Sequence, residues 1–326
     1  MSAIRNELDV PSFANQRVPE SGPGFRLPEV VRISALLLVS VQIACGQVTP
    51  RTDGLRNKAG VQLLVADRDV PKLRIVLPGQ STTDAAIEVL FPEHVTAMKS
   101  GAGAARQLYL SSSSRNLDVP HWQQVQNSIE YERDLPGDVH FLARATLEDD
   151  GVRFHYEYSS RSTASFSMIY AVTDPRLTSI FHDVRLERTY VHHASGFDLL
   201  ASETVERLTL PLDQWLPARY LVSYTWPVPS QRVERRDDGI TYYNKSRAVD
   251  FPFIATLSTD RAWVVASFTN TVGNVWSNPE LTCQHVDSQR SLPARQQTMT
   301  EIKILVMHGS LEQAFQRAVS QRASLK

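Results

Sequence analysis

One short block of the sequence, residues 276–287, holds the residue types best suited to chemistry. An Asn-Pro dipeptide begins the block as a turn, and Leu281–Asp287 is predicted to continue as a strand. Because side chains alternate between the two faces of a strand, Cys283, His285 and Asp287 share one face. This face changes from apolar to ionisable along its length. The pattern predicts a strand that leaves a core and carries a histidine and a carboxylate to its rim.

A histidine and an aspartate in this arrangement suit proton transfer, because imidazole titrates near neutral pH. Residues two apart on one strand face have Cβ atoms about 7 Å apart, so both can reach one ligand. We predict that His285 is a catalytic acid or base and that Asp287 orients it or binds substrate. The alternative is a histidine and an aspartate that bond only to backbone. The pair could also begin a metal site, but a third ligand is required, and the sequence assigns no metal and no cofactor.

Further polar and aromatic residues are predicted to line a substrate cleft beside this pair. Pockets for sugars combine aromatic walls with a few hydrogen-bonding side chains. The alternatives are core positions for the aromatic residues and a polar loop end for the histidine. The predicted substrate-binding residues are His193, Tyr243, Asn244, Trp276 and Asn278.

The cysteine content and the charge balance limit the functions that the sequence predicts. Cys283 is predicted to be a small buried residue, and a nucleophilic role, which needs exposure and a nearby base, is the alternative. The chain has 34 Lys and Arg against 35 Asp and Glu, with both signs interspersed. This balance gives no reason to expect a nucleic-acid partner. No Gly-rich phosphate loop, G-x-S-x-G, CxxC or HExxH motif occurs.

The N-terminal part of the sequence has the features of an export signal. The apolar run 33–44 is too short to span a bilayer, which takes about 20 residues, but has the size of a signal-peptide core. We predict that residues 1–46 are a signal region with an extended N-terminal segment. The protein would then be periplasmic, displayed on the cell surface or secreted. A start codon downstream of the first Met would account for the length of this segment.

Two processing routes fit this signal region. Cleavage after Gly46 leaves Gln47 as the first mature residue, whereas acylation of Cys45 makes a bacterial lipoprotein. Membrane anchoring is expected only by the second route, since no transmembrane span is predicted. Either route leaves Cys283 without an intramolecular disulfide partner, so the fold must be held by its core.

The body of the chain is predicted to be all-β, a large antiparallel β-sandwich. Residues 139–146 and 152–158 alternate apolar and polar around an Asp-Asp-Gly turn and predict a hairpin. Residues 47–326 are predicted to form a single β-sandwich domain that ends in helix 310–323, where Ser310 and Gln313 supply a capping box. The further predicted strands are Phe166–Val172, Gln62–Val65, Lys72–Leu77, Ala85–Phe91, Arg106–Leu110, Thr204–Leu210, Leu221–Trp226, Phe253–Leu257, Trp263–Thr269 and Thr300–Met307, with a short helical turn at Asp174–Phe181.

Two blocks resemble exported bacterial proteins of the galactose-mutarotase-like β-supersandwich type. They are residues 147–158, with the acidic-Gly turn before a strand, and residues 278–287, followed by a closing strand and helix. The resemblance implies this fold and a carbohydrate substrate class. It assigns no catalytic residue, because His192 and His193 lack the H-x-Y-F-N context of mutarotases and no glutamate matches their base.

Together these features predict an exported carbohydrate-active or carbohydrate-binding protein. One form is a sugar epimerase or lyase with a histidine acid/base. The alternative is a non-enzymatic envelope protein or lipoprotein that binds glycans or proteins. The sequence alone is compatible with both.

Overall fold

The computed structural model describes residues 54–84, 86–110, 119–223, 231–270 and 274–326, which fold mainly as β-strands. The predicted all-β class with a C-terminal helix is confirmed. No helix among the described residues has both the length and the apolar character needed to cross a membrane. Numbered in chain order, the strands are β1 (Leu55–Arg56), β2 (Gln62–Asp67), β3 (Lys72–Val76), β4 (Ile87–Lys99), β5 (Arg106–Tyr109), β6 (Gln123–Val125), β7 (Ser128–Leu135), β8 (Val139–Glu148), β9 (Gly151–Ser160), β10 (Phe166–Leu177), β11 (Thr189–His193), β12 (Gly196–Leu199), β13 (Ala218–Ser223), β14 (Val233–Arg235), β15 (Thr241–Asn244), β16 (Phe253–Leu257), β17 (Trp263–Phe268), β18 (Asn274–Ser277), β19 (His285–Val286), β20 (Arg290–Leu292) and β21 (Gln297–His308).

These strands form three sheets. A seven-stranded sheet has the order β1-β2-β3-β4-β10-β20, with β5 paired to β4. A nine-stranded sheet has the order β12-β11-β16-β17-β21-β9-β8-β7-β6. A five-stranded sheet, β14-β15-β13-β18-β19, is antiparallel except for the parallel pair β13–β15. The helices are α1 (Glu206–Thr209), α2 (Leu212–Trp215) and α3 (Leu311–Arg322), with 3₁₀ turns at Thr82–Asp84, Ser179–Phe181 and Pro279–Leu281.

The seven- and nine-stranded sheets share an aromatic core. Phe91 of β4 has its ring centroid 5.3 Å from Phe154, 5.5 Å from Tyr156 and 5.8 Å from Tyr131. The Tyr131 hydroxyl donates a 2.7 Å hydrogen bond to the Phe91 carbonyl, which satisfies the buried phenol. Period-2 alternation along β9 supplies Phe154 and Tyr156 from the nine-stranded sheet, and β7 supplies Tyr131. The core therefore lies between the two larger sheets.

The pairing of β4 with β10 determines what each face of the seven-stranded sheet carries. Val95 pairs with Ala171 on the core face, while His94 pairs with Val172 and Thr96 with Tyr170 on the opposite face. Alternation along β10 places Asp174 and Arg176 on that same opposite face. The seven-stranded sheet therefore has one apolar face toward the core and one face rich in polar and aromatic groups.

A bulge interrupts this pairing beside Asp174. Val172 pairs with His94 and Asp174 pairs with Leu90, so β4 has two extra residues in this interval. Bulges bend a strand and re-aim its side chains. Here the bulge contains Glu93, whose carboxylate lies 3.9 Å from the Arg176 guanidinium.

The C-terminal helix forms as its sequence predicts. The Ser310 side chain accepts a hydrogen bond from the Gln313 backbone N–H, and the Gln313 side chain accepts one from the Ser310 N–H. Phe315 packs edge-on against Phe251 and Phe253, at centroid distances of 5.7 and 5.4 Å. The helix thereby covers a second apolar cluster on the outer side of the nine-stranded sheet.

Two sequence predictions of secondary structure are wrong in part. Thr204–Leu210, predicted as a strand, contains helix α1, and the Arg207 guanidinium is buried there because it donates to the carbonyls of Ala201 and Arg185. The predicted helical turn at Asp174–Phe181 begins later, because β10 continues to Leu177 in pairing with β4 and only Ser179–Phe181 is helical. Tertiary contacts override local preference in both segments.

The capping box gives a direct test of the helix assignment. Replacing Ser310 by alanine should lower the free energy of unfolding by about 1 kcal/mol, because one N-terminal N–H loses its acceptor. Urea denaturation followed by circular dichroism measures the change. Ser320→Ala, in the exposed last turn of the same helix, should change stability by less than about 0.5 kcal/mol, and an equal loss in both variants would contradict the capping role.

Candidate functional site

The block that was predicted to be one strand is instead a 3₁₀ turn followed by a short strand. Pro279–Leu281 forms the turn, and Thr282 adopts a left-handed conformation with φ 47°. Regular strand pairing covers only His285–Val286, which pairs with β18, and Cys283 forms a single bridge with Arg176 of β10. The strand prediction for Leu281–Asp287 is therefore wrong over its first half. A β-branched residue in the left-handed region is strained by about 1–3 kcal/mol, and such strain tends to occur at functional sites.

Cys283 and His285 nevertheless share a face, as alternation predicted. The His285 Nε2 atom lies 3.0 Å from Cys283 Sγ. Gln284, between them, points the other way and donates a 2.6 Å hydrogen bond to Thr256 of the nine-stranded sheet. The segment is thus held between two sheets, with Gln284 on one side and the ionisable residues on the other.

An aspartate from the seven-stranded sheet completes a buried group that we call the His285 cluster, made of Asp174, Cys283 and His285. The Asp174 Oδ1 atom lies 3.2 Å from His285 Nε2. All three residues are only 1% exposed. One potential ligand atom from each lies within 4.8 Å of the others, so the cluster could hold a metal ion.

The charges of the His285 cluster stabilise one another. Burial alone would favour the neutral forms, but His285 and Arg176 hold the pKa of Asp174 below its ordinary value. Burial likewise opposes the imidazolium, yet Cys283 and Asp174 raise the pKa of His285 well above its ordinary value. Burial raises the pKa of the Cys283 thiol. The Asp174 carboxylate and a protonated His285 therefore stabilise each other.

Trp276 and Asp287 lie directly over this cluster. The indole of Trp276 stacks on the His285 ring at a centroid distance of 3.7 Å and an interplanar angle of 9°. Its Nε1–H donates a 2.9 Å hydrogen bond to Asp287. Burial raises the pKa of Asp287 despite the opposing effects of His285 and this hydrogen bond. Stacking on one face and a hydrogen bond at one edge fix the orientation of the half-buried indole.

Partly exposed groups of β4, β5 and β10 lie near the His285 cluster and Asp287. The guanidinium of Arg176 donates a 2.8 Å hydrogen bond to Asp174 and lies near Glu93. Burial and the charge of the nearby Asp287 carboxylate raise the pKa of Tyr170 to about 12. Tyr109 on β5 lies beside the buried His94 at a ring distance of 4.9 Å. We call this set the Trp276 rim; it consists of Glu93, Tyr109, Tyr170, Arg176, Trp276 and Asp287.

His193, a predicted substrate-binding residue, has a different set of neighbours. His193 is the last residue of β11, and its Nδ1 atom lies 2.7 Å from the Ala248 carbonyl oxygen. The nearby Lys245 ammonium is 4% exposed and donates to Asp198, Leu199 and Ser202. A buried lysine with its three donors satisfied indicates a structural role. No hydrogen bond, ion pair or ring contact among the described residues links His193 to the His285 cluster.

Of the other predicted substrate-binding residues, Asn278 lies beside the His285 cluster, whereas Tyr243 and Asn244 lie on β15 of the five-stranded sheet. Asn278 touches the His285 cluster through its backbone, since its N–H donates to Cys283 Sγ at 3.3 Å. Asn244 donates its side-chain amide to the Gln231 carbonyl and pairs with Leu221, one strand away from Trp276. Tyr243 instead stacks on Tyr220 on the other face of that sheet. Of the seven predicted site residues, His285, Asp287, Trp276 and Asn278 are brought together.

Sequence reasoning missed the residues that β4, β5 and β10 supply to the site. One signal was present, because Asp174 and Arg176 are two apart, the spacing of one strand face. The prediction of a helical turn at Asp174–Phe181 hid this signal. Glu93 reaches the site through the bulge, and the signal for it was Pro92, because proline within a strand is found mainly at edges and bulges.

A separate cavity of about 350 Å³ lies on the core face of the seven-stranded sheet. Val95 and Leu108, a cross-strand pair, line it, together with Leu135, Val139 and Phe166. These side chains alternate with His94 and Tyr109, so the cavity and the Trp276 rim lie on opposite faces of the same strands. None of the predicted site residues lines this cavity.

Comparison with known proteins gives matches only at the level of overall structure. No protein-family model matches the chain, and no curated protein matches its sequence. Solved structures with a similar outline include a galactose mutarotase related enzyme from Lactobacillus acidophilus (TM-score 0.41, 10% identity, 78% of this chain and 97% of that chain). An aldose epimerase homologue from C. elegans has TM-score 0.43 and 11% identity, covering 78% of this chain and 98% of that chain. A galactose mutarotase-like protein from Clostridium acetobutylicum has TM-score 0.39 and 9% identity over 77% and 94% of the two chains.

These solved structures belong to the galactose-mutarotase-like class that the sequence resembles. At this degree of similarity they assign neither a substrate nor the role of any residue. Any functional assignment must therefore come from the geometry of this chain.

The contact between Trp276 and Asp287 can be measured by a double-mutant cycle. Trp276→Phe keeps an aromatic ring but removes the Nε1–H donor, and Asp287→Ala removes the acceptor. The two losses should be less than additive, with a coupling free energy of about 1–2 kcal/mol, as expected for a buried hydrogen bond to a carboxylate. Urea denaturation of the four proteins gives this value.

A control cycle pairs Trp276→Phe with Asp134→Ala. Asp134 is an exposed carboxylate on β7 whose hydrogen bonds go to His140 and Arg161. These two substitutions should be additive within about 0.5 kcal/mol. Equal coupling in both cycles would mean that the Trp276–Asp287 hydrogen bond does not contribute to stability.

Proposed function

We propose that this protein binds carbohydrate at the Trp276 rim. Sugars present both C–H surfaces, which pack on aromatic faces, and hydroxyls, which need charged or polar hydrogen-bonding partners. The rim offers both within one partly exposed patch on the outer face of the seven-stranded sheet. The predicted carbohydrate class of ligand is in agreement with this surface.

The held indole of Trp276 is the observation that carries this proposal. Its ring is half-buried and is restrained by the stack on His285 and the hydrogen bond to Asp287. An aromatic side chain already fixed in one orientation loses little conformational entropy when a ligand packs on it. The conformational entropy of the Trp276 side chain is already restricted in the free protein, as expected for a preorganised binding surface.

Polar groups around the indole supply hydrogen-bond partners of both kinds. The Arg176 side chain is 33% exposed and the Glu93 side chain 21%, so their polar ends reach the surface. Arg176 is a donor and Glu93 an acceptor. Tyr109, 37% exposed, adds a second aromatic face on β5.

The burial of His285 favours binding over the acid/base role predicted for it. The imidazole is 1% exposed and covered by Trp276, and its Nε2 already contacts Cys283 and Asp174. A general acid or base must come within hydrogen-bond reach of the proton that it transfers. A sugar at the rim would meet Trp276 before it could meet His285. In this proposal His285 positions the indole and does not touch the ligand.

The binding proposal is tested with a glycan array that includes hexoses, N-acetylhexosamines and uronic-acid oligosaccharides. Calorimetric titration of the best array ligand should show at least a tenfold loss of affinity in Trp276→Ala, because the stacking surface is removed. Tyr109→Ala should weaken binding less. The matched control is Trp263→Ala, since Trp263 packs on His308 in the nine-stranded sheet and should keep the wild-type affinity. Absence of any glycan ligand, or unchanged affinity in Trp276→Ala, would refute the proposal.

The same preparations separate a binding protein from an enzyme. Polarimetry of freshly dissolved α-D-galactose and α-D-glucose measures acceleration of ring opening and closure over the spontaneous rate. Binding with no acceleration is the expected result. A rate enhancement that disappears in Asp287→Asn would instead assign epimerase chemistry to the rim and restore the catalytic alternative.

We also propose that the protein acts outside the cytoplasm. The support is the apolar run 33–44 preceded by two arginines, which has the length and flanking charge of a signal-peptide core. Export would bring the rim into contact with external or envelope glycans. The two processing routes, cleavage after Gly46 and acylation of Cys45, both belong to this proposal.

Mass spectrometry of the protein purified from a fractionated bacterial host tests export. The expected N-terminus is Gln47, or an acylated Cys45, in the periplasmic or membrane fraction. Deleting residues 33–44 should retain the chain in the cytoplasm. An unprocessed chain that stays in the cytoplasm without this deletion would rule out export.

A further inference from the structure

We propose that the His285 cluster binds a divalent transition-metal ion through Asp174 Oδ1, Cys283 Sγ and His285 Nε2. Zn²⁺ is the ion that this mixed oxygen, sulfur and nitrogen set suits best. The proposal concerns the buried floor beneath Trp276 and does not depend on carbohydrate binding at the rim.

Convergence on a single ring nitrogen is the first observation. Cys283 Sγ at 3.0 Å and Asp174 Oδ1 at 3.2 Å both approach His285 Nε2. One nitrogen carries one proton or one lone pair, so it cannot bond well to both. A cation between the three atoms would contact all of them at once.

The arrangement differs from a nucleophile–histidine–carboxylate relay. In such a relay the nucleophile and the carboxylate contact opposite ring nitrogens, so that one orients the imidazole for the other. Here both groups face Nε2, while Nδ1 is buried without a hydrogen-bond partner. Cys283 is also 1% exposed, so a substrate could not reach it. The geometry therefore favours metal coordination over nucleophilic catalysis.

The poor alignment of the Asp174 carboxylate with the imidazole is the second observation. The Asp174 Oδ1 atom is buried, and its 3.2 Å contact with His285 Nε2 is an ion pair without the geometry of a hydrogen bond. Its other oxygen, Oδ2, accepts the hydrogen bond from Arg176. A buried anionic oxygen with a poorly aligned partner is incompletely satisfied, and a metal ion would satisfy it.

The surroundings orient each proposed ligand. Arg176 holds the Asp174 carboxylate, the Asn278 N–H donates to the sulfur, and Trp276 holds the imidazole plane by stacking. Groups that hold the ligand side chains in this way are typical of metal sites. The strained Thr282, next to Cys283, is consistent with a backbone constrained to present the sulfur.

Two of the three ligand separations are close to those of a tetrahedral ion. Zn–N and Zn–O distances near 2.0 Å and a Zn–S distance near 2.3 Å imply ligand separations of about 3.3–3.5 Å. The Nε2–Oδ1 distance of 3.2 Å meets this, and the Nε2–Sγ distance of 3.0 Å needs an increase of about 0.5 Å. A rotation of the Cys283 side chain is enough for such a shift.

Binding should release two protons, one from the cysteine and one from the imidazolium. The Cys283 S–H and His285 Nε2–H bonds break as the sulfur–metal and nitrogen–metal bonds form, and both protons pass to buffer. Because the cluster is buried, we expect the ion to enter during folding or refolding. The test therefore uses protein refolded in the presence of metal.

The experiment starts from the full chain with Cys45→Ser, so that Cys283 is the only thiol. Protein refolded with Zn²⁺, or with Co²⁺ as a spectroscopic substitute, is desalted and assayed by elemental mass spectrometry. About one ion per chain is expected, and the Co²⁺ form should show thiolate-to-metal charge-transfer absorption. Less than about 0.1 ion per chain, or a Co²⁺ spectrum without the thiolate band, would overturn the proposal.

Single substitutions assign the ligands. Asp174→Asn, Cys283→Ser and His285→Gln should each lower the affinity for Zn²⁺ at least tenfold. His193→Gln, a buried histidine outside the cluster, is the matched control and should keep the wild-type affinity. If a ligand variant fails to fold, the Co²⁺ spectrum of the parent protein still decides whether Cys283 coordinates the ion.

Metal binding and sugar binding are separable in this design. Glycan affinity measured on chelator-treated protein reports on the rim alone, whereas the metal content of wild-type protein refolded without glycan reports on the cluster alone. Loss of glycan binding with retained metal would contradict only the proposed function. Retained glycan binding with no metal under any refolding condition would contradict only the metal site.

Discussion

The pairing of β4 with β10 is the constraint on which the rest of the structure depends. Through one register it places Val95 and Ala171 in the core and puts His94 and Tyr170 on the outer face. A shift of one residue would exchange the two faces, burying polar groups against the aromatic core and exposing the apolar ones. The two-residue bulge then lets Glu93 reach Arg176. The register and the bulge therefore specify both the core and the candidate site.

The site has two layers with different physical requirements. Below, the His285 cluster is buried, and its charges persist only because they are paired in a medium of low polarity. Above, the partly exposed indole of Trp276 is held by the stack on His285 and by its hydrogen bond to the buried Asp287. The lower layer needs exclusion of water, and the upper layer needs access to it. This division explains why His285, which the sequence predicted to be a catalytic acid or base, is better suited to support an aromatic surface or to hold an ion.

The five-stranded sheet connects the two larger sheets at this point. Gln284 bonds to Thr256 on the nine-stranded sheet, while the flanking Cys283 and His285 meet Asp174 on the seven-stranded sheet. Three consecutive residues therefore contact both large sheets. The strained Thr282 that precedes them is kept in place by a hydrogen bond from its N–H to Pro279 and one from its hydroxyl to Leu177. Local strain is tolerated because the packing on both sides determines the backbone path.

The sequence by itself determined the features that depend on short-range patterns. Period-2 alternation predicted the β8–β9 hairpin, the capping box predicted α3, and the spacing of Cys283 and His285 predicted their shared face. Only the tertiary structure decided which distant residues meet them, because Asp174 and Glu93 lie more than 100 residues earlier in the chain and reach the site through sheet register and a bulge. It likewise separated His193 and Tyr243 from the site. Alternation specifies on which side of a strand a residue lies, but sheet order and packing determine what it faces.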